Sequence, residues 1–142
     1  MAPRMLIAAR VLNDGASHEA WVGTAGVARP VALPPRGEGR GSAVSGGELL
    51  LLALATCYCN DLYREAGRRN VPLDAVEVEA RAEFASEGVA ASNVTYRARV
   101  SSPAPEADIV DLLRLTDAVA EVQSTVRTGV EVTRVPWERG DR

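Results

Sequence analysis

Two thiols are the soft nucleophiles of this 142-residue chain, and both lie in one apolar stretch, residues 46–69, which reads GGELLLLALATCYCNDLYREAGRR. A thiol in such a setting either fills core space or is held in a pocket for nucleophilic or redox chemistry. Residues two apart on a helix point about 200° apart, so Cys57 and Cys59 cannot bridge each other and are not a redox dithiol. They serve different faces. Cys59 falls on the stripe Leu52, Ala55, Leu62, Tyr63 and Ala66, apolar throughout, and is expected to fill core. Cys57 shares its face with Leu50, Ala53 and Leu54 before it and with Asn60, Asp61 and Arg64 after it. That gradient describes the wall of a pocket in which Arg64 favours a thiolate. It equally describes a helix that simply emerges into solvent at its C-terminal end. Of the two thiols Cys57 is thus the candidate for a site, with Asp61 and Arg64 on its face and Tyr58 beside it as candidate binding residues. Tyr58 and Tyr63 read first as packing residues, with a tyrosine hydroxyl reaching the site as the alternative. Arg64, Arg68 and Arg69 also fit a solvated helix end that pairs with Asp61 and Glu65.

Composition removes other chemistries. All sixteen basic residues are arginine, so neither a Schiff-base lysine nor a P-loop lysine is present. A single histidine, His18, excludes a histidine-cluster metal site and leaves one candidate for a Cys-His pair. Neither a metal nor any other cofactor is expected. The net charge of −3 lacks the basic footprint of a nucleic-acid surface. No apolar run approaches the roughly twenty residues that cross a bilayer, and Met1 to Val11 lacks the apolar core of a secretory leader, so a cytoplasmic protein is expected.

Several elements must position the thiols. An apolar run at Met5 to Leu12, the turn Asn13-Asp14-Gly15 and a returning strand at His18 to Gly26 read as a hairpin, with a third short strand at Arg29 to Leu33. The stretch 34–47, with two prolines, five glycines and two serines, separates an N-terminal β-lobe (1–44) from a second lobe (45–142) of the same domain. Ser45 and Glu48 form a capping-box pattern at the start of the thiol-bearing helix, which Asn70 and Pro72 close near Arg69. Ala75 to Phe84 and Val94 to Val100 alternate as a second hairpin. Pro105-Glu106 opens a helix whose stripe runs Ile109, Leu112, Leu113, Leu115, Val119, Val122 and Val126, and Gly129 ends it. Val130 to Val135 reads as a final strand. Hairpins alternating with two helices define an α+β fold.

Glu48-Leu49-Leu50, the small residues Ala53 to Thr56, Cys57, the hairpin starting Val76-Glu77-Val78 and the run Thr125-Val126-Arg127-Thr128-Gly129-Val130-Glu131-Val132 together resemble the OsmC/Ohr family. The resemblance covers nearly the whole chain. It implies an OsmC-like fold assembled as an intertwined homodimer, with thiol sites at the subunit interface that reduce organic hydroperoxides in oxidative stress. Cys57 stands at the position of the peroxidatic cysteine, which forms a sulfenic acid that a second thiol resolves. The family's second motif, Cys-Pro, falls on Ala120-Glu121, so a resolving cysteine is missing. The family's site glutamate falls on Gly47, and the resemblance thereby makes Glu48, one residue and about 100° away, the binding candidate in its place. The hairpin segment Val11 to Ser17 lacks the family's arginine, and Arg10, Arg29, Arg36 and Arg40 are equal candidates to replace it.

Three readings follow. The first is thiol-dependent peroxide reduction through Cys57, with a small hydroperoxide as substrate and an external thiol reductant. The second is a non-peroxidase OsmC-like dimer that binds a small apolar ligand in the interface cleft. The third is a purely structural or partner-binding dimer. An unpaired thiol in apolar surroundings without a cation beside it is expected to have a raised pKa.

Overall fold

The computed structural model describes residues 4–15 and 17–137, grouped into two units, Met1–Leu50 and Leu51–Arg142. In the first unit, β1 (Ile7–Asp14) and β2 (Ser17–Thr24) pair antiparallel with Asp14 opposite Ser17. Gly15 turns the chain between them in the left-handed region, φ 58°, which its missing side chain permits. β3 (Val27–Val31) then pairs with β2, in the order β1-β2-β3. Ala25 and Gly26 make that second turn, both with positive φ, as a two-residue hairpin between right-twisted strands requires. The third strand thus starts two residues earlier than the sequence pattern suggests, because an alanine in the left-handed region gives no turn signal. Pro30 sits on this edge strand, where its missing N–H costs no ladder bond to a further strand. The sheet buries Ala20 but leaves Ile7, Val11, Leu12 and Val22 exposed.

The long helix α1 (Gly46–Arg68) starts at the expected capping box. The Glu48 N–H donates to Ser45 Oγ at 3.1 Å, and the Ser45 N–H donates to Glu48 Oε1 at 2.8 Å. It ends where Asn70 takes a left-handed φ of 55° and the Val71 N–H returns to the Ala66 carbonyl at 2.9 Å.

The second unit is built on a hairpin of β4 (Ala75–Glu83) and β5 (Ser92–Ser101). Its period-two pattern turns Val76, Val78, Tyr96, Ala98 and Val100 toward a core of Tyr58, Leu62, Ala66, Leu112 and Ala120. The opposite face is charged, and cross-strand neighbours pair: Arg99 with Glu77 at 2.9 Å and Arg97 with Glu79 at 3.0 Å.

Two expectations for the C-terminal third are corrected. The single helix is two, α2 (Glu106–Val119) and α3 (Glu121–Thr128), separated by one extended residue, Ala120, at φ −72° and ψ 115°. Ala120 is fully buried, and its backbone turn lets α3 leave the axis of α2 while the apolar stripe continues. Gly129 ends α3 in the left-handed conformation, φ 63°, as expected. Beyond it, residues 130–135 form no strand, and Val130, Val132 and Val135 are exposed. Their alternation is real, but they find no strand partner among the described residues of the single chain.

Candidate functional site

α1 turns Leu54, Tyr58, Asp61, Leu62, Glu65 and Ala66 inward. Buried carboxylates on a helix demand partners, and arginines one turn away supply them. Glu65 accepts from Arg64 Nε at 3.2 Å, Arg68 at 2.9 Å and Arg69 at 2.9 Å, and these guanidiniums hold its carboxyl below the usual carboxylate range. Asp61 takes Arg64 Nη1 at 3.0 Å. The arginine-rich helix end therefore pairs with Asp61 and Glu65 as its spacing suggests.

Cys57 lies half-buried against the core cluster that includes Ala120, and it meets the first residue of α3. Its thiol donates toward Asp61 Oδ2 at 3.6 Å, one turn later on α1, and toward Glu121 Oε2 at 3.9 Å, the first residue of α3. The backbone N–H of Val122 also reaches the sulfur. Burial pushes the thiol above its ordinary value, the Val122 N–H opposes that rise, and the charges of Asp61 and Glu121 add to it. The direction matches the sequence expectation, but the causes are broader than apolar surroundings, because two carboxylates share the rise with burial. Asp61 is itself raised, by burial first and by Glu121 second, with Arg64 opposing.

Arg64 does not stand free beside the thiol. Its guanidinium spans Asp61, Glu65 and Glu121, the last at 3.7 Å, so its charge is spent on the carboxylates that surround Cys57. Cys57, Asp61 and Glu121 offer ligand atoms within 4.8 Å of one another, a thiol-and-carboxylate set of a kind that divalent cations take. Arg64 already supplies positive charge to both carboxylates of that set.

The structure brings Cys57, Asp61 and Arg64 together and places Glu48 and Tyr58 elsewhere. Glu48 closes the helix cap described above, and its hydrogen bonds to Ser45 hold its carboxyl below the usual range. Tyr58 is buried on the core face, donates its hydroxyl to the Leu113 carbonyl at 2.6 Å and meets Tyr96 edge to face at 4.7 Å. Burial, with the nearby Asp117 charge, pushes its phenol up to about 12. Cys59 is half-buried and outside the core cluster, which corrects its reading as a core residue. Leu52 and Tyr63, on the same stripe, are 60% and 47% exposed.

Glu121 and Val122 join the site without having been named as site residues from the sequence, and Gln123 follows them on α3. Gln123 is 2% exposed and donates Nε2 to the Leu54 carbonyl at 2.8 Å, which fixes the first turn of α3 on α1 one turn before Cys57. The signal for this neighbourhood was the match of Ala120-Glu121 to the motif that carries a second cysteine elsewhere.

Comparison with known proteins bears on the family and the fold. The model of the OsmC-like protein family matches residues 39–134. Among solved structures, the chain is similar to an OsmC-like protein from Mycoplasma pneumoniae, at 14% identity and TM-score 0.61, with 89% of each chain covered. It is also similar to an OsmC-like hydroperoxide resistance protein from Jannaschia sp. CCS1, at 16% identity and TM-score 0.55, with 97% of this chain and 95% of the other covered. A third likeness is to an organic hydroperoxide resistance protein from Legionella pneumophila, at 15% identity and TM-score 0.54, covering 86% and 89%. No curated protein matches the chain.

Proposed function

The chain belongs to the OsmC family and has its α+β fold, and from that premise we propose that it is a one-cysteine thiol peroxidase that reduces small organic hydroperoxides through Cys57. The observation that carries this reading is the contact of the Cys57 sulfur with Asp61 at 3.6 Å, beside the amino end of α3. Asp61 is the proton acceptor for the thiol, and its raised pKa makes it a better base than an exposed aspartate. The resulting thiolate attacks the terminal oxygen of ROOH and the O–O bond breaks. Cys57 becomes a sulfenic acid, and the alkoxide leaves as ROH with the proton from Asp61. One external thiol condenses with the sulfenic acid to a mixed disulfide and water. A second restores Cys57 and leaves as the oxidised disulfide. Arg64 keeps Asp61 and Glu121 from repelling the developing thiolate in full. The protein acts as a cytoplasmic homodimer on this reading, and Ala120 at the resolving position makes the external thiol necessary. No described helix is long and apolar enough to cross a membrane.

The raised pKa of Cys57 favours a second reading, an OsmC-like dimer that binds a small apolar ligand in its interface cleft without turning over peroxide. One experiment separates them: turnover of cumene hydroperoxide with excess dithiol, for the wild type and Cys57→Ser. The peroxidase reading expects saturable turnover that the substitution abolishes. Equal background rates in both proteins would sink it.

A further inference from the structure

Three donor atoms converge where α1 meets α3. Cys57 and Asp61 stand one turn apart on α1, and Glu121, the first residue of α3, reaches the same sulfur. The Cys57 sulfur lies 3.6 Å from Asp61 Oδ2 and 3.9 Å from Glu121 Oε2, and the donor atoms of all three residues fit within 4.8 Å of one another. A tetrahedral zinc ion, with sulfur at about 2.3 Å and carboxylate oxygen at about 2.0–2.2 Å, sets neighbouring sulfur and oxygen ligands about 3.5 Å apart. The Asp61 separation already has that length. The Glu121 separation exceeds it by about 0.4 Å, which the exposed Glu121 side chain can close.

Arg64 orients both carboxylates without occupying the atoms that face the thiol. Its Nη1 meets Asp61 Oδ1 at 3.0 Å and Glu121 Oε1 at 3.7 Å, whereas the sulfur faces the other oxygen of each, Oδ2 and Oε2. Hydrogen-bond donors placed behind carboxylates in this way fix the orientation of metal-bound oxygens. The Val122 N–H reaches the sulfur itself and can support a bound thiolate. Fully ionised, the three groups carry three negative charges, and the single Arg64 guanidinium that faces the carboxylates is also engaged by Glu65 at 3.2 Å. A divalent cation compensates the remainder. The Glu121 side chain is 70% exposed, so an ion and a water ligand reach the set from solvent.

We propose that Cys57, Asp61 and Glu121 bind one zinc-class divalent cation, with water as the fourth ligand. The set uses no histidine, so the single histidine of the chain does not bear on it. Thiolate is a soft ligand, which selects zinc or cobalt over magnesium and calcium. On binding, the Cys57 thiol gives its proton to solvent and the sulfur donates a lone pair to the metal, so affinity rises with pH. The proposal goes beyond the peroxidase reading and needs no peroxide. It adds a consequence to that reading, since metal and hydroperoxide compete for one thiolate.

The test titrates cobalt(II) into the reduced full-length protein, with Cys59→Ser as the common background so that one thiol reports. The expected result is one cobalt per chain with a thiolate-to-cobalt charge-transfer band in the near ultraviolet, displaced by zinc and untouched by millimolar magnesium. Cys57→Ser is expected to abolish the band. Glu121→Gln changes a largely exposed side chain, so the fold is expected to survive, and cobalt affinity is expected to fall by about tenfold or more. A parent without the band, a band that survives Cys57→Ser, or displacement by magnesium would overturn the site. Unchanged affinity in Glu121→Gln would overturn the three-residue set. The titration contains no peroxide, so failure of the peroxidase reading is scored separately, by hydroperoxide turnover of the metal-free protein.

Discussion

The Cys57 sulfur stands 3.6 Å from the Asp61 carboxylate, which is itself bonded to Arg64 at 3.0 Å. Three residues at positions i, i+4 and i+7 of one helix thus form a chain from thiol to carboxylate to guanidinium. The carboxylate has two opposite effects on the thiol. Its charge destabilises the thiolate at rest, and its lone pairs receive the proton when the thiolate forms.

Asp61→Asn separates those effects. Removing the charge and freeing Arg64 lowers the Cys57 pKa, so alkylation by iodoacetamide at neutral pH rises severalfold. In the wild type the thiol is raised above its reference value of 9.0, so its reactivity climbs with pH and reaches its plateau only above that value. The variant's pH profile is displaced toward acid. Hydroperoxide turnover is expected to fall despite the more abundant thiolate, because the amide cannot take up the thiol proton or return it to the alkoxide. A rise in both rates would exclude Asp61 as the proton relay.

Ala120→Cys restores a thiol at the place where the family carries its second cysteine. Ala120 is fully buried in the core cluster that Cys57 packs against, and the next two residues reach the Cys57 sulfur. The variant is expected to form an intramolecular disulfide after one equivalent of hydroperoxide, visible as a 57–120 cross-link in peptide mass spectra. The single-cysteine site instead proceeds to sulfinic acid when reductant is withheld. The closed loop is long enough that the oxidised variant gains up to about 4 kcal/mol by the chain-entropy estimate. If residue 120 stays reduced while Cys57 over-oxidises, the two sulfurs do not meet and the register of the second motif is wrong.

How much of this was legible in the sequence depends on the range of the interactions. The hairpins were legible because a half-buried strand writes its burial with a period of two, and the Ser45-Glu48 box and Gly129 marked helix ends by local chemistry. The partnership of Cys57, Asp61 and Arg64 was legible too, since residues four and seven apart share a helix face. The break at Ala120 was not. Alanine is a strong helix former, neither proline nor glycine marks the position, and the apolar stripe runs through it. The contributions of Glu121, Val122 and Gln123 arise from contacts 64 or more residues away in sequence, which periodicity does not encode. Cys59 was misread for a related reason. An apolar stripe on a long helix shows that something covers it, without showing that the cover belongs to the same chain.

That stripe carries the last prediction. Leu52, Cys59 and Tyr63 of that stripe follow one another at spacings of seven and four along α1, and Leu52 and Tyr63 are about half exposed or more in the isolated chain. The valines at 130, 132 and 135, the middle one 95% exposed, add a strand-like segment with no strand partner in the described residues of its own chain. Apolar surface arranged this way, in a family whose members the resemblance describes as intertwined dimers, fits cover by a second copy. The wild type is expected to sediment as a dimer at micromolar concentration. Leu52→Glu places a charge within the stripe, and a paired copy would bury two of them, related by symmetry and unpartnered. The variant is expected to sediment as a monomer or to aggregate, with its apparent melting temperature no longer dependent on protein concentration. A wild-type monomer under the same conditions would refute the dimer, and an unaltered Leu52→Glu dimer would place its interface elsewhere.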